Sequence, residues 1–291
     1  MKDSFNFLGF KINTKTFLIS LAVFAGVVLA LLLVHFYITE VSWYGFLIGC
    51  AFLLAVVIAC ELMPERGLNK DLPYSLIWWV FPTAIIGARI AFVVNNIHLY
   101  DTFWEMCAVW EGGLSIYGGV MGGIIGLTIC CLIKKANPIC AMDCVAPVLI
   151  LGQAIGRWGN FANVEVYGWE ITNKAWQWFP FGIIANDGKW HLANFFYESV
   201  LDFIGFLGLL FLLRKTKAKG VVCCTYFMYY GFIRFFLEQL RDAKYIMLIP
   251  GTNIQWSTIT SVIMFSVGAI GLISIFVLKM IKNKKETNLN N

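Results

Sequence analysis

Arg157, Asn160, Asn163 and Glu165 fall within nine consecutive residues of the segment Gly156-Arg157-Trp158-Gly159-Asn160-Phe161-Ala162-Asn163-Val164-Glu165-Val166-Tyr167-Gly168. Arginine supplies a permanent, planar cation whose fork matches phosphate oxygens two at a time. Asparagine amides and a carboxylate offer donors and acceptors to hydroxyl groups. Together these residue types suit a polyol phosphate, the chemistry of a phospholipid headgroup. A second set reads Tyr230, Arg234, Glu238 and Arg241. Its spacings of four, four and three put all of them on one face of a helix. Spacing alone leaves two readings of Arg234 open: internal pairing with Glu238, or pairing that orients it toward a ligand. Arg89, Tyr44, Tyr117, Tyr197, Glu198, Asp202 and Asp143 are the other polar residues embedded in or beside apolar runs.

Those runs are the elements that must position this chemistry. The chain has 291 residues, 59% hydrophobic and 13% charged, where a soluble protein carries roughly 25% charged residues. So few charges cannot cover a water-facing surface, which points to an all-α, polytopic bundle of membrane helices. A span needs roughly 20 mainly apolar residues. Candidates are Thr16–Ile38, Trp43–Cys60, Leu76–Val94, Gly113–Ile133, Met142–Arg157, Phe195–Leu213, Gly220–Leu240 and Ser257–Ile281. The run Thr16–Ile38 exceeds the roughly 7–15 residues of a signal-peptide core and reads as a retained helix.

The basic residues set the orientation. With the N-terminus inside, inner segments hold 15 of the 22 lysines and arginines, among them Arg66, Lys70, Lys134, Lys135 and the cluster Arg214–Lys219. The expectation is eight spans with both termini cytoplasmic. Arg89, Arg157, Arg234, Glu238, Tyr44 and Tyr117 then collect at the outer ends of their spans, and Asp143 alone sits near an inner end. A transporter would instead place polar residues at the midplane. The net charge of +5 is a topology signal, and no nucleic-acid partner is expected. The outer loop 158–194 carries Trp169, Trp176, Trp178, Phe179, Phe181 and Trp190. It either lies on the membrane surface, where such aromatics concentrate, or encloses a small core of its own. Gly112, Gly113, Gly118, Gly119, Gly122 and Gly123 let backbones approach, either another helix or a headgroup. The nine cysteines and the scattered His35, His98 and His191 lack ligand spacing, so no metal or cofactor is expected.

The Gly156–Gly168 segment fits every fixed place of G-R-x-G-N-F-x-N-x-E-x-x-G, and the chain here resembles the bacterial prolipoprotein diacylglyceryl transferases. Trp43-Tyr44-Gly45, Gly87-Ala88-Arg89, Gly112–Gly119, Tyr197-Glu198 and Tyr230–Glu238 follow that family in order, so the resemblance covers about Ser42 to Ile281. Three places depart from it. Ser42 stands where arginine is common, Tyr117 where some members carry histidine, and Leu192 follows His191 where His-Pro is usual. Members commonly have seven spans, which makes Thr16–Ile38 an extra helix.

The resemblance implies transfer of the sn-1,2-diacylglyceryl group of phosphatidylglycerol to the lipobox cysteine of a prolipoprotein. A thioether forms and sn-glycerol 1-phosphate leaves, the first step of lipoprotein maturation. The partners implied are phosphatidylglycerol, the prolipoprotein signal peptide and the lipid bilayer. The place implied is a bacterial plasma membrane, with the active site toward the outer leaflet. Arg157, Arg234, Tyr117 and Glu238 are the expected catalytic residues, and Glu238 positions Arg234. Arg157, Asn160, Asn163, Glu165, Gly168, Tyr44 and Arg89 are expected to bind substrate. The expected organisation is an N-terminal cytoplasmic segment with the extra helix over 1–41, the transferase membrane domain over 42–281 and a basic cytoplasmic tail over 282–291.

Overall fold

The computed structural model describes residues 4–7, 10–13, 43–249, 251–252 and 254–289. The helix expected over Thr16–Ile38 lies outside the described residues. Eight α-helices follow in chain order: α1 (Trp43–Glu65), α2 (Leu72–Asn95), the single-turn α3 (Phe103–Cys107), α4 (Ile116–Ile133), α5 (Pro138–Ala162), α6 (Asn194–Lys215), α7 (Val221–Gln239) and α8 (Trp256–Leu289). Among the described residues, seven helices are long and apolar enough to cross a membrane, the shortest having 18 residues. At 1.5 Å per residue that helix spans about 27 Å, close to the hydrocarbon thickness. The fold is polytopic and helical as expected. Two short antiparallel hairpins add to it, β1 (Ser4–Phe7) with β2 (Phe10–Asn13) and β3 (Gly182–Ile184) with β4 (Trp190–Leu192).

The contacts divide the chain into two compact units. Residues 59–141 form one. Its helices α2 and α4 meet through Gly118, Gly122 and Gly126, four residues apart on one face of α4. A Cβ at these glycines would collide with the Gly87 carbonyl, the Thr83 carbonyl and the Thr83 hydroxyl respectively. Backbones this close are the small-residue contact that membrane helices use in place of a hydrophobic driving force. Gly119 and Gly123 are different, because a Cβ there would find contacts of 3.6 Å or longer. The packing reading of the glycines therefore holds for Gly118 and Gly122, and Gly126 extends the same contact.

Residues 1–58 and 142–291 form the other unit. Here α7 and α8 touch at Gly231 and Gly268, where a Cβ would lie 2.7 Å from the Ser261 carbonyl and 2.5 Å from that of Cys224. Asp143, fully buried, accepts hydrogen bonds from the backbone N–H groups of Gly220 (2.7 Å) and Cys223 (2.9 Å). A carboxylate is thus laid across the N-terminus of α7, where unpaired N–H groups and the helix dipole favour an anion. Capping accounts for the one acidic residue expected away from the others.

Several helix ends differ from expectation by a few residues, and two of these boundaries bear on the polar segment. The fifth span, expected to end at Arg157, continues as α5 through Ala162, and the loop expected over 158–194 occupies 163–193. The polar residues at this helix end find partners on α6, as Trp158 Nε1 donating to Ser199 Oγ (3.0 Å) illustrates, so helical backbone persists past them. The loop itself has a core. Tyr167, Ile183, Ala185 and Ala193 pack with Phe195, while Trp169, Trp176, Trp178 and Phe179 remain about half exposed.

The glycine contacts yield a test. Gly122→Val drives a branched side chain into backbone that no rotamer can avoid, and overpacking costs about 1–3 kcal/mol even where side chains can yield. We expect Gly122→Val to lower the unfolding temperature in detergent sharply and Gly119→Ala to leave it nearly unchanged.

Candidate active site

Three helices of the second unit bring their charged residues together. Arg157 lies one turn before the end of α5, Glu198 in the first turns of α6, and Arg234 and Glu238 in the last turns of α7. Arg157 Nη2 donates to Glu198 Oε1 at 2.5 Å. Arg234 Nη1 reaches both oxygens of the same carboxylate, at 3.3 and 3.2 Å. Its Nη2 donates to Glu238 Oε2 at 2.8 Å, and Arg241 Nη1 meets that oxygen at 3.3 Å. Glu198 and Glu238 are almost fully buried, while the arginines keep 13–19% of their side chains exposed. The carboxylates are thus buried more deeply than the arginines that share them. Burial and the neighbouring Arg234 hold Arg241, just beyond α7, below the usual arginine range.

Arg157 Nη1 also donates to Asn160 Oδ1 (3.3 Å), whose amide donates to Glu165 Oε1 (3.1 Å). Asn163 Nδ2 reaches the same oxygen at 3.3 Å. The four signature residues thus form one hydrogen-bonded chain that ends on the guanidinium. Val164 and Val166, on either side of Glu165, hold φ of 50° and 58°. β-Branched residues rarely enter this left-handed region, and the strain is worth about 1–3 kcal/mol each. The turn aims the Glu165 carboxylate back at its helix end. Gly168 closes the signature. A Cβ there would lie 2.5 Å from the Leu240 carbonyl and 2.6 Å from Asn194 Oδ1, and Gly168 bridges antiparallel to Arg241. Its close packing ties the loop to the residues that follow α7. The Tyr44 ring lies across Gly159, where a Cβ would collide with it.

Arg89 and Tyr117 belong to the other unit. Arg89 is 5% exposed. Its guanidinium donates to the carbonyls of Met106 (2.8 Å), Gly112 (2.6 Å), Gly113 (3.2 Å) and Glu105 (2.7 Å). These bonds engage most of its donors in holding the segment between α2 and α4. Tyr117, in the first turn of α4, is 53% exposed.

Glu198 is absent from the site expected on sequence grounds, although it is the centre of the cluster. Two arginines at the apolar ends of helices need a shared counter-charge, and Tyr197-Glu198 is the signal that offers one. Asp202, one turn further along α6, is fully buried, and neither of its oxygens has a hydrogen-bond partner among the described residues. Among the described residues, no His, Cys, Asp and Glu groups could hold a metal ion.

Fold and site define an integral membrane protein with a buried arginine–carboxylate cluster that presents guanidinium groups. A family model described as prolipoprotein diacylglyceryl transferase matches residues 31–274. The phosphatidylglycerol–prolipoprotein diacylglyceryl transferase 1 of Clostridium perfringens is 37% identical over 243 residues, covering 81% of this chain and 90% of its own length. The corresponding transferase of Limosilactobacillus reuteri is 38% identical over 77% of this chain and 83% of its own. That of Staphylococcus carnosus is 37% identical over 79% and 84%. The chain belongs to the prolipoprotein diacylglyceryl transferase family.

The two buried carboxylates make opposite predictions. Removing one partner of a buried ion pair costs about 3–5 kcal/mol, so Glu198→Gln should lower the unfolding temperature in detergent. Asp202→Asn removes no hydrogen bond and should leave that temperature unchanged or raise it. Equal losses in both variants would contradict the bridging role of Glu198.

Proposed function

We propose that this membrane enzyme transfers the diacylglyceryl group of phosphatidylglycerol to the lipobox cysteine of prolipoproteins, with Arg157 and Arg234 holding the phosphate. The observation that carries the assignment of residues is the Glu198 carboxylate shared by those two arginines, one of them inside the family signature. The shared anion fixes both guanidinium groups before substrate arrives, so little ordering entropy remains to be lost on binding.

In the reaction, the substrate's thiolate attacks the glycerol carbon that bears the phosphate. A carbon–sulfur bond forms, the carbon–oxygen bond to phosphate breaks, and sn-glycerol 1-phosphate leaves with the electron pair. Negative charge grows on the departing phosphate, and Arg157 and Arg234 stabilise it from fixed positions. Glu238 positions Arg234. Asn160, Asn163 and Glu165 hold Arg157 and meet the glycerol hydroxyls, with Gly168 fixing the end of that segment and Tyr44 lining the approach. Tyr117 is a further hydrogen-bond donor for the reaction. Arg89 contributes by keeping the segment before α4 in shape. A free thiol titrates at about 8.5 and reacts as thiolate, so a cationic site favours the reactive form.

Counting spans along the chain supports an outward-facing site. The segments 96–115, 163–193 and 240–255 fall on one side of the membrane. The segments 66–71, 134–137 and 216–220 fall on the other with Lys279 and Lys282, and that side is richer in basic residues. The positive-inside rule makes it cytoplasmic, in a bacterial plasma membrane.

The test is mass spectrometry of a lipobox peptide incubated with purified protein in phosphatidylglycerol vesicles. The wild type should give a diacylglyceryl adduct. Arg234→Ala should cut turnover by about 10²–10³, the cost of removing one fixed donor from a developing anion. Near-normal turnover in that variant would overturn the assignment.

A further inference from the structure

The reaction needs a place for the polypeptide beside the place for the lipid. Phe235 and Gln239 lie one residue further around α7 than Arg234 and Glu238. With Ile254, Gln255 and Thr258 they line a groove of about 480 Å³ where α7 ends and α8 begins. Pockets for small ligands span about 300–1,000 Å³. The lining carries no charge, so it does not suit a phosphate. Gln239 Nε2 has only long contacts, 3.5 Å to both the Phe235 carbonyl and Thr258 Oγ1, while Thr258 donates to Gln255 Oε1 at 3.1 Å. Amide groups of this kind offer both a donor and an acceptor to a partner.

The segment joining the two helices supplies a second, independent feature. Leu248 pairs antiparallel with Gln255, held by Ile249 N–H to the Ile254 carbonyl (2.9 Å) and Trp256 N–H to the Met247 carbonyl (3.0 Å). In this pairing, the N–H and C=O of Leu248 point away from Gln255. Among the described residues the outward N–H and C=O of Leu248 in this short pairing take no backbone hydrogen bond, and Met247, Leu248 and Ile254 are at least half exposed. An open edge is a template for one more extended strand.

We infer that the paired segments 247–249 and 254–256 and the Phe235–Gln239–Thr258 groove seat an extended, uncharged stretch of the polypeptide substrate next to its acceptor cysteine. The open edge pairs with the peptide backbone, the Gln239 and Gln255 amides read its flanking peptide groups, and Phe235 and Ile254 cover its small apolar side chains. The peptide then lies one helical stripe from the arginine that holds the lipid phosphate. The inference rests on the transfer reaction proposed above, and it assigns the second substrate to residues outside the family signature.

Two measurements test it. In the peptide assay, the double variant Gln239→Leu/Thr258→Val removes polar atoms while keeping bulk. It should raise KM for the peptide about tenfold, the loss of two modest hydrogen bonds, and leave KM for phosphatidylglycerol unchanged. In parallel, a benzophenone side chain at Ile254 should crosslink to the lipobox peptide on irradiation, and the same probe at the exposed Ile273 of α8 should not. An unchanged peptide KM, or an Ile254 probe that captures lipid alone, would overturn the inference. If the wild type formed no adduct at all, the transfer reaction would fail instead, and the crosslink would still decide whether the groove binds peptide.

Discussion

Arg157, Arg234 and Glu198 meet where α5, α6 and α7 reach the edge of the apolar layer, and the rest of the site is arranged around that meeting. A guanidinium cannot lose its proton and cannot be left alone at low dielectric. A single carboxylate answers for both arginines, which brings three helices to one point. Its two oxygens are shared between the pair, so neither cation is neutralised by a partner of its own. Glu238 in turn is divided between Arg234 and Arg241. Three cations on two bridging carboxylates leave the group of five with a net positive charge.

The surrounding structure keeps that geometry from collapsing. Glycines on α7 and α8 bring those backbones into contact, and Asp143 fixes the opposite end of α7. At the other end, Gly168 is pressed between the end of α7 and the start of α6, so the signature segment returns to the cluster it leaves. The strained turn through Val164, Glu165 and Val166 points the Glu165 carboxylate at Asn160 and Asn163. Strain persists where the surroundings over-determine the backbone, and here they hold the Glu165 carboxylate against the two asparagine amides.

Much of this is legible in the residues alone. The seven spans follow from apolar run length, because hydrocarbon thickness fixes how many residues a helix needs. A spacing of four pairs Arg234 with Glu238, and the two side chains do meet. Other features are hidden for identifiable reasons. The apolar run stops at Arg157, which sets the expected end of α5 too early, whereas contacts with α1 and α6 keep the helix intact through the polar residues that follow. The central position of Glu198 is invisible to local spacing, since its partner Arg157 is 41 residues away. Arg89 looks like a phosphate ligand by residue type. Only the carbonyls of Glu105, Met106, Gly112 and Gly113 reveal how fully its donors are used.

The central claim is that Glu198 preorganises Arg157 and Arg234 for one phosphate. Its most direct test is an experimental structure of the protein in a lipid nanodisc with phosphatidylglycerol bound. Phosphate oxygens should lie within about 3 Å of both guanidinium groups, with Glu198 still bridging the pair. A headgroup phosphate seated away from this pair, with Arg157 and Arg234 contacting only carboxylates, would contradict it.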